Sequence, residues 1–390
     1  MANAITALNP EQWKTSIQDY LNKMLIATEI CNTKCEAFLS SGDQVNFPYV
    51  SDARVQSYTQ GTDLTIDDMT ATADSLSVDQ SKAVTFVMDP VQEKQAIADY
   101  GSKQSYQAAF QLRNIIDQTV LETGVDAIGN SITGGALTTG TILSKMNSAY
   151  AALGRANATD AEMFAVIDHE RAALLTQTFV ANGFTEADST LRNQFRGRAA
   201  GFNVFVSNNL PVSQDLTLVT IPTASDTMEI AGITFTWVAA ASASAAGDIS
   251  IGANITASKA NFLLMIAGTA TGSAATYVDV SAEDRKTMQN MQLEATAFAA
   301  VTANLSTLTA FGKIGMTEDI TPADAVVGTE TGTLLFGRMG AISLAIQMKP
   351  ELYIREEPKQ ISRNYITHAL FGTTVFHRDE KRLAGVTYNV

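Results

Sequence analysis

Charge is what this sequence has least of. Only 17% of its 390 residues are Asp, Glu, Lys or Arg, against about 25% in an average soluble domain. A long chain with so few charges has to hide much of its surface, in its own core or against partners. Histidine is nearly absent, at three residues, His169, His368 and His377. No GxSxG elbow, HExxH pair or EF-hand loop accompanies them, so nothing marks a nucleophile with its base or a metal cage. The Gly-rich stretches at Gly134-Gly135 and Gly268–Ser273 lack the lysine of a phosphate loop. Catalysis, cofactors and metals are therefore not expected.

Cysteine is limited to Cys31 and Cys35. With no second pair and no nearby histidine, they read as two reduced thiols on a helix rather than a metal site or a disulfide framework. No apolar run approaches the length of a membrane span. The residues from Met1 to Pro10 have no basic stretch followed by an apolar one, so no secretory leader is expected. Synthesis and residence in a reducing cytoplasm follow.

What is abundant is apolar residues, 46% of the chain, together with Ala, Thr, Ser and Asn. The length allows about two or three domains, and the texture favours many short strands and loops. The net charge is −14, which argues against sequence-specific nucleic-acid binding, because an acidic protein gains nothing from counterion release.

Along the chain the pattern changes several times. Asn9 and Pro10 open an amphipathic helix carrying Trp13, Ile17, Tyr20, Leu21, Met24 and Leu25 at three- and four-residue steps. Residues 46–90 read as an extended excursion, with strands predicted at Arg54–Thr59 and Val78–Met88 around an acidic, Thr-rich tip. A long helix is predicted from Val91 to Thr123, with Gly124 just past its end. Residues 125–215 read as α/β: helix at 142–153, buried strand Met163–Ile167, Asp168 capping a helix from His169, and strand Gly201–Val206. From 217 to 330 the texture is that of an inserted β-rich module. It has a hairpin at Met228–Val238, a short strand at Gly247–Gly252, a helix capped by Thr256 or Ser258, and another capped by Ser281 with Asp284 behind it. Leu334–Met348 is apolar with Gly and Arg interruptions, and the last forty residues alternate and turn like strands.

One charge asymmetry suggests how copies meet. Between Gly61 and Glu93 lie seven acidic residues and one basic one, Lys82. Asp63, Asp67, Asp68 and Asp74 belong to this stretch, whereas Arg192, Arg196, Arg198, Arg355, Lys359 and Arg363 gather elsewhere. Opposed patches on one chain suit a contact between neighbouring copies. These residues, with Trp13 and Tyr20 of the first helix, are the candidate inter-subunit contacts.

The order of elements resembles the major capsid protein family of tailed bacteriophages, with its α+β Hong Kong 97-like fold. The stretch Leu76–Gln95 is similar to the end of that family's E-loop entering its spine helix. Gly201–Pro211, Met228–Ile266 and Leu370–Phe376 resemble a coat-protein strand and turn, an inserted module and the closing strands. The resemblance implies an N-terminal helical arm (1–45), an E-loop hairpin (46–90), a spine helix with peripheral domain (91–140) and an axial domain (141–216). It further implies an inserted module (217–330), an axial return (331–350) and closing peripheral strands (351–390). It also implies hexamers and pentamers tiling an icosahedral shell around double-stranded DNA. Portal protein, and scaffolding and decoration proteins, would be partners; DNA would be enclosed without sequence-specific binding, membranes would play no part, and the virion would be the final location. No residue matches the covalent cross-linking chemistry of some relatives. An encapsulin-type nanocompartment shares the fold and is the alternative. Flagellin has a similar texture but pairs helices from both termini, and this C-terminal region reads as strands.

Overall fold

The computed structural model describes residues 25–39, 42–89, 100–159, 162–181, 197–268, 276–296, 305–319, 325–356 and 362–390. The helix expected around Trp13 and Tyr20 lies outside these residues, as do Arg192, Arg196, Lys359 and the expected start of the long helix.

In chain order, β1 (Gln44–Val50), β2 (Ala71–Ser77) and β3 (Gln80–Met88) come before one long helix, Tyr100–Asp126. Then follow β4 (Asn130–Ala136), helix Ile142–Arg155, β5 (Met163–Ile167), helix His169–Ala181, β6 (Arg198–Ala199), β7 (Phe202–Val206) and β8 (Pro211–Leu218). β9 (Thr227–Ile230), β10 (Ile233–Val238) and β11 (Asp248–Ser250) precede helices Ile255–Ala267 and Ala282–Asn290. β12 (Glu294–Ala295), β13 (Leu305–Phe311), β14 (Thr317–Asp319) and β15 (Ala325–Val327) come next. The last four strands are β16 (Thr331–Arg338), β17 (Ile342–Glu356), β18 (Arg363–Val375) and β19 (Leu383–Asn389).

A ten-stranded sheet forms the body. β16 lies at its centre, antiparallel to β5, β8 and β19. β5 runs parallel to β7, and helix His169–Ala181 lies between them in sequence, so they form a βαβ-type connection. All five residues of β5 are buried, as expected for a strand covered on both faces. The Asp168 carboxylate accepts from the Arg171 backbone N–H at 2.9 Å and caps the helix that follows.

The stretch read as an insertion has its own four-stranded sheet, β11-β10-β9-β14, and its own core around Trp237, Phe235, Phe262 and Tyr277. It is nevertheless tied into the body: β13 and β15 pair with β8, which pairs with β16. Its second helix is capped as expected, with Ser281 Oγ accepting from the Asp284 N–H at 3.1 Å. The first helix differs. Its cap is Asn254, whose side chain accepts from the Ala257 N–H, rather than Thr256 or Ser258. Asn254 has the extended backbone a cap requires, whereas both expected caps lie inside the helix.

The long helix buries Ala108, Leu112, Ile116 and Val120, a strict four-residue series on one face. It runs through Gly124, which was expected to stop it. A Cβ there would sit 2.7 Å from Ile342 Cδ1 and 2.9 Å from Leu335 Cδ2, so this glycine admits the sheet closely instead of ending the helix. Polar residues on the same helix are buried too. Asp117 Oδ1 accepts from the backbone N–H groups of Ile26 and Ala27, each at 2.7 Å, and Oδ2 accepts from Asn209 Nδ2 at 2.7 Å. Gln118 donates to the Asn290 carbonyl and accepts from Gln292. One helix thus anchors the segment before the hairpin, the turn after β7 and the β-rich module.

Candidate functional site

The hairpin predicted within 46–90 exists, but its strands are not the expected ones. Gln44–Val50 pairs with Ala71–Ser77, from Gln44↔Ser77 to Val50↔Ala71. Residues 54–59 carry no strand, and β3 leaves the hairpin to pair with β18 in a three-stranded sheet with β17. Alternation told which face of residues 80–88 was apolar; it carried no information on a partner more than 270 residues away in sequence.

Beyond the paired stem, residues 51–70 are exposed apart from Gln56, which is partly covered. The stem continues as a side-chain zipper rather than a ladder. The Ser51 N–H donates to the Thr70 carbonyl at 3.0 Å. Arg54 forms a two-bond fork on Asp67, at 2.7 and 3.0 Å. Gln56 Nε2 donates to the Thr65 carbonyl at 2.7 Å, and Thr62 closes a turn on Thr59. The charges therefore bind the tip to itself. Apolar side chains are left to water: Val55 is 97% exposed, Ile66 91% and Met69 81%, with Tyr58 and Leu64 also open. Residues 54, 56 and 67 carry the zipper, and Val55 and Ile66 alternate with them, so the two sets point to opposite sides of an extended ribbon.

The stem is anchored at its base. Leu76, Val78, Cys35, Leu39 and Ala345 form a small buried core there. Gln347 donates to the carbonyls of Leu39 and Gly42. Burial pushes the Cys31 and Cys35 thiols above their ordinary range, which makes them poor nucleophiles.

Within the subunit, two of the four acidic side chains expected to dock on a neighbour's basic face already have partners. Asp67 is paired with Arg54, and Asp74 accepts from the His377 backbone N–H at 2.9 Å. Asp63 and Asp68 lie exposed on the tip. Arg198 sits in an edge strand of the ten-stranded sheet, with Asn203 and Glu162 beside it. Arg355 and Arg363 fall in adjacent rows at the far end of the β17–β18 pair, in the other sheet. Among the described basic candidates, Arg198 thus lies in a different sheet from Arg355 and Arg363. Near Arg355 the same strand exposes Leu352, Tyr353 and Ile354, and β3 exposes Val87.

The histidines are engaged in the framework. His169 bonds Asn208, and His368 bonds Ser81. His377 stacks on Tyr49. Next to His169, a cleft is lined by Asp168, Glu170, Lys313, Glu330 and Tyr388. Burial, followed by the nearby Asp168 charge, raises the Tyr388 phenol, so it stays protonated and donates to Asp168 at 3.1 Å. Glu330 accepts from the N–H groups of Ile314 and Gly315. Among the described residues no group of three or more His, Cys, Asp or Glu is placed to hold a metal ion. No described helix is long and apolar enough to cross a membrane.

The excursion is legible in the sequence; its chemistry is not. Val55 and Ile66 were legible as apolar residues in an exposed loop; the Arg54–Asp67 fork joins positions whose partnership depends on hairpin register.

No protein-family model and no curated protein matches this chain. Solved structures do. The chain aligns over 100% of its length with 98% of a chain from Mycobacterium phage Che8, at a TM-score of 0.61 and 14% identity. It aligns over 100% with 95% of a chain in the capsid structure of the cyanophage P-SCSP1u, at 0.57 and 13%. A chain in the head structure of Helicobacter pylori bacteriophage KHP40 aligns at 0.55 and 9%, covering 100% of this chain and 98% of that one. The mixed α+β architecture is therefore the fold of these phage chains, aligned over the whole chain.

Proposed function

We propose that this chain is the major capsid protein of a tailed bacteriophage, a subunit whose function is to assemble with copies of itself. Hexamers and pentamers would tile an icosahedral shell around double-stranded DNA. The hairpin serves as the E-loop, the long helix as the spine, the β17–β18–β3 sheet as the peripheral domain and the ten-stranded sheet as the axial domain with its inserted module. A portal protein, with scaffolding or decoration proteins, completes the particle, which forms in the host cytoplasm.

One observation carries this reading beyond the fold: the hairpin tip is held to itself by the Arg54–Asp67 fork while Val55, Ile66 and Met69 stand exposed. Fully burying one Val, Leu, Ile or Met side chain contributes about 1.5–3 kcal/mol. A neighbouring copy covering only Val55 and Ile66 would thus gain about 3–6 kcal/mol per subunit. Repulsion between acidic subunits does not cancel this, because salt screens exposed charge beyond about 10 Å at 0.1 M ionic strength. The like charge of wall and DNA keeps the contents from sticking to the container.

Electron microscopy of the expressed chain tests the proposal. Closed shells of uniform curvature are expected. A stable monomer whose residues 51–70 are folded against its own body would overturn it. DNA-filled particles bearing tails distinguish a virus head from an enzyme-filled nanocompartment of the same fold.

A further inference from the structure

The hairpin is held at two levels, one buried and one exposed. The buried level is a pivot. Leu76 and Val78 sit in the small core at the stem's base, where the backbones of β2 and β18 nearly touch: a Cβ on Gly372 would lie 2.0 Å from the Ser77 carbonyl oxygen. The exposed level is made by the short turn that connects β18 to β19, whose first residue, Phe376, borders the buried core while His377 and Arg378 reach outward from it. Phe376 meets Phe47 edge-on at 5.0 Å. The next residue, His377, stacks on Tyr49 at 5.6 Å and donates its N–H to Asp74 at 2.9 Å. Arg378 donates to the Val50 carbonyl at 2.9 Å and pairs with Asp52 at 3.1 Å. Three consecutive residues of one turn therefore grip successive rungs of the stem, ending where the paired strands end.

We propose that the turn 376–380 is a releasable clasp that sets the angle of the hairpin to the body. Its exposure argues for release as well as holding. The pivot is fully enclosed, whereas Asp52 is 92% exposed at its side chain and Arg378 and His377 are more than half exposed. An exposed ion pair such as Arg378–Asp52 contributes little by itself, so the clasp holds by this pair together with the hydrogen bonds to Asp74 and Val50 and the His377–Tyr49 stack, and it opens while Phe376 stays against the buried core. The turn is itself braced from behind, by Asp379 on Arg382 and by Glu380 at 3.7 Å from the His377 ring. It stays in place when the stem leaves. The consequence for assembly rests on the shell reading: a subunit would meet its neighbour with the arm already aimed and could re-aim it by opening one exposed contact set.

The test reads the angle directly in dispersed subunits, so it does not depend on shells forming. Spin labels are placed at Gln60→Cys on the tip and Ser148→Cys on helix Ile142–Arg155, in a chain whose Cys31 and Cys35 are replaced by alanine. Pulsed electron resonance gives the tip-to-body distance distribution. The parent is expected to show one narrow distance. The double variant His377→Ala, Arg378→Ala is expected to broaden it by roughly twofold, with melting temperature and circular dichroism unchanged. Asp52→Asn, which removes one exposed pair and nothing buried, is expected to broaden it less and gives a reading should the double variant not fold. A parent distribution already broad, or folded variants as narrow as the parent, would overturn the clasp. Absence of shells in microscopy alongside a narrow parent distance would overturn the shell reading and leave the clasp standing.

Discussion

Two excursions leave the body of this chain, and they treat apolar surface in opposite ways. The β-rich module folds its large side chains inward: Trp237, Phe235, Phe262 and Tyr277 are fully buried, and β8 and β13 sew it to the main sheet. The hairpin has no interior beyond its base and leaves Val55, Ile66 and Met69 in water. A two-stranded ribbon cannot bury a face on itself, so it keeps its shape with the Arg54–Asp67 fork and the Gln56–Thr65 bond and presents its apolar side to whatever covers it. The module contributes to the stability of one subunit. On the proposed reading, the hairpin contributes to contacts between subunits.

The largest expected effect breaks this contrast at the hairpin. Val55→Asp with Ile66→Asp should abolish shell formation while changing subunit stability by less than about 0.5 kcal/mol, as for exposed positions away from packing. Sedimentation and chemical denaturation measure the two quantities separately. Intact shells from this variant would show that the tip is solvent-facing in the assembly. The mirror experiment is Trp237→Ala. Emptying that site should destabilise the subunit by about 3–5 kcal/mol, read as a lower melting temperature. A variant that melts like the parent would mean that the module is loosely attached rather than part of the fold.

How much of this was legible in the sequence follows the same division. Local signals were read correctly where neighbours in sequence decide the structure: the run Met163–Ile167, the Asp168 cap, the Ser281 cap and the Met228–Val238 hairpin. The long-range pairings were not legible, because alternation assigns a face and never a partner. β3 was given to the hairpin, although its ladder runs along β18 from Arg363↔Met88 to Phe371↔Gln80. Gly124 was read as a helix stop because a helix end and a tight helix–sheet approach both call for glycine. Asp117 went unnoticed because a buried carboxylate that accepts from Ile26 and Ala27 looks, in sequence, like any polar residue on a helix. The candidate contact residues divide the same way. Their charges were visible; that Asp67 would be held by its own hairpin was not.

That last point separates two carboxylates one residue apart. Asp67→Asn should weaken the tip's zipper by about 0.2–1 kcal/mol, the range of exposed ion pairs. It should lower shell yield modestly through a looser tip. Asp68→Asn should leave both quantities unchanged if docking is apolar. A marked loss of shells from Asp68→Asn, with Asp67→Asn silent, would restore charge docking and shift the contrast between the excursions from apolar surface to electrostatics.

The smallest expected effect lies where the long helix meets both β3 and the module. Glu122 is held above the usual carboxylate range by partial burial first, then by the charges of Asp126 and Glu294, while Lys82 of β3 acts in the opposite direction. The folded subunit therefore keeps this proton to higher pH than the unfolded chain does. Its contribution to stability is fully present below the ordinary value of 4.5 and is lost as pH rises through the raised one. At about pH 7 the ionised group is a net liability, reduced because the side chain keeps part of its surface in water. Glu122→Gln should consequently melt slightly higher than the parent at about pH 7, and the difference should fade as the pH approaches about 4. If the variant instead melts lower at neutral pH, the attraction of Lys82 outweighs burial and the two acidic neighbours. The junction would then be a charge-paired seam, and the module would be tied to β3 by electrostatics as well as to the body by strand pairing.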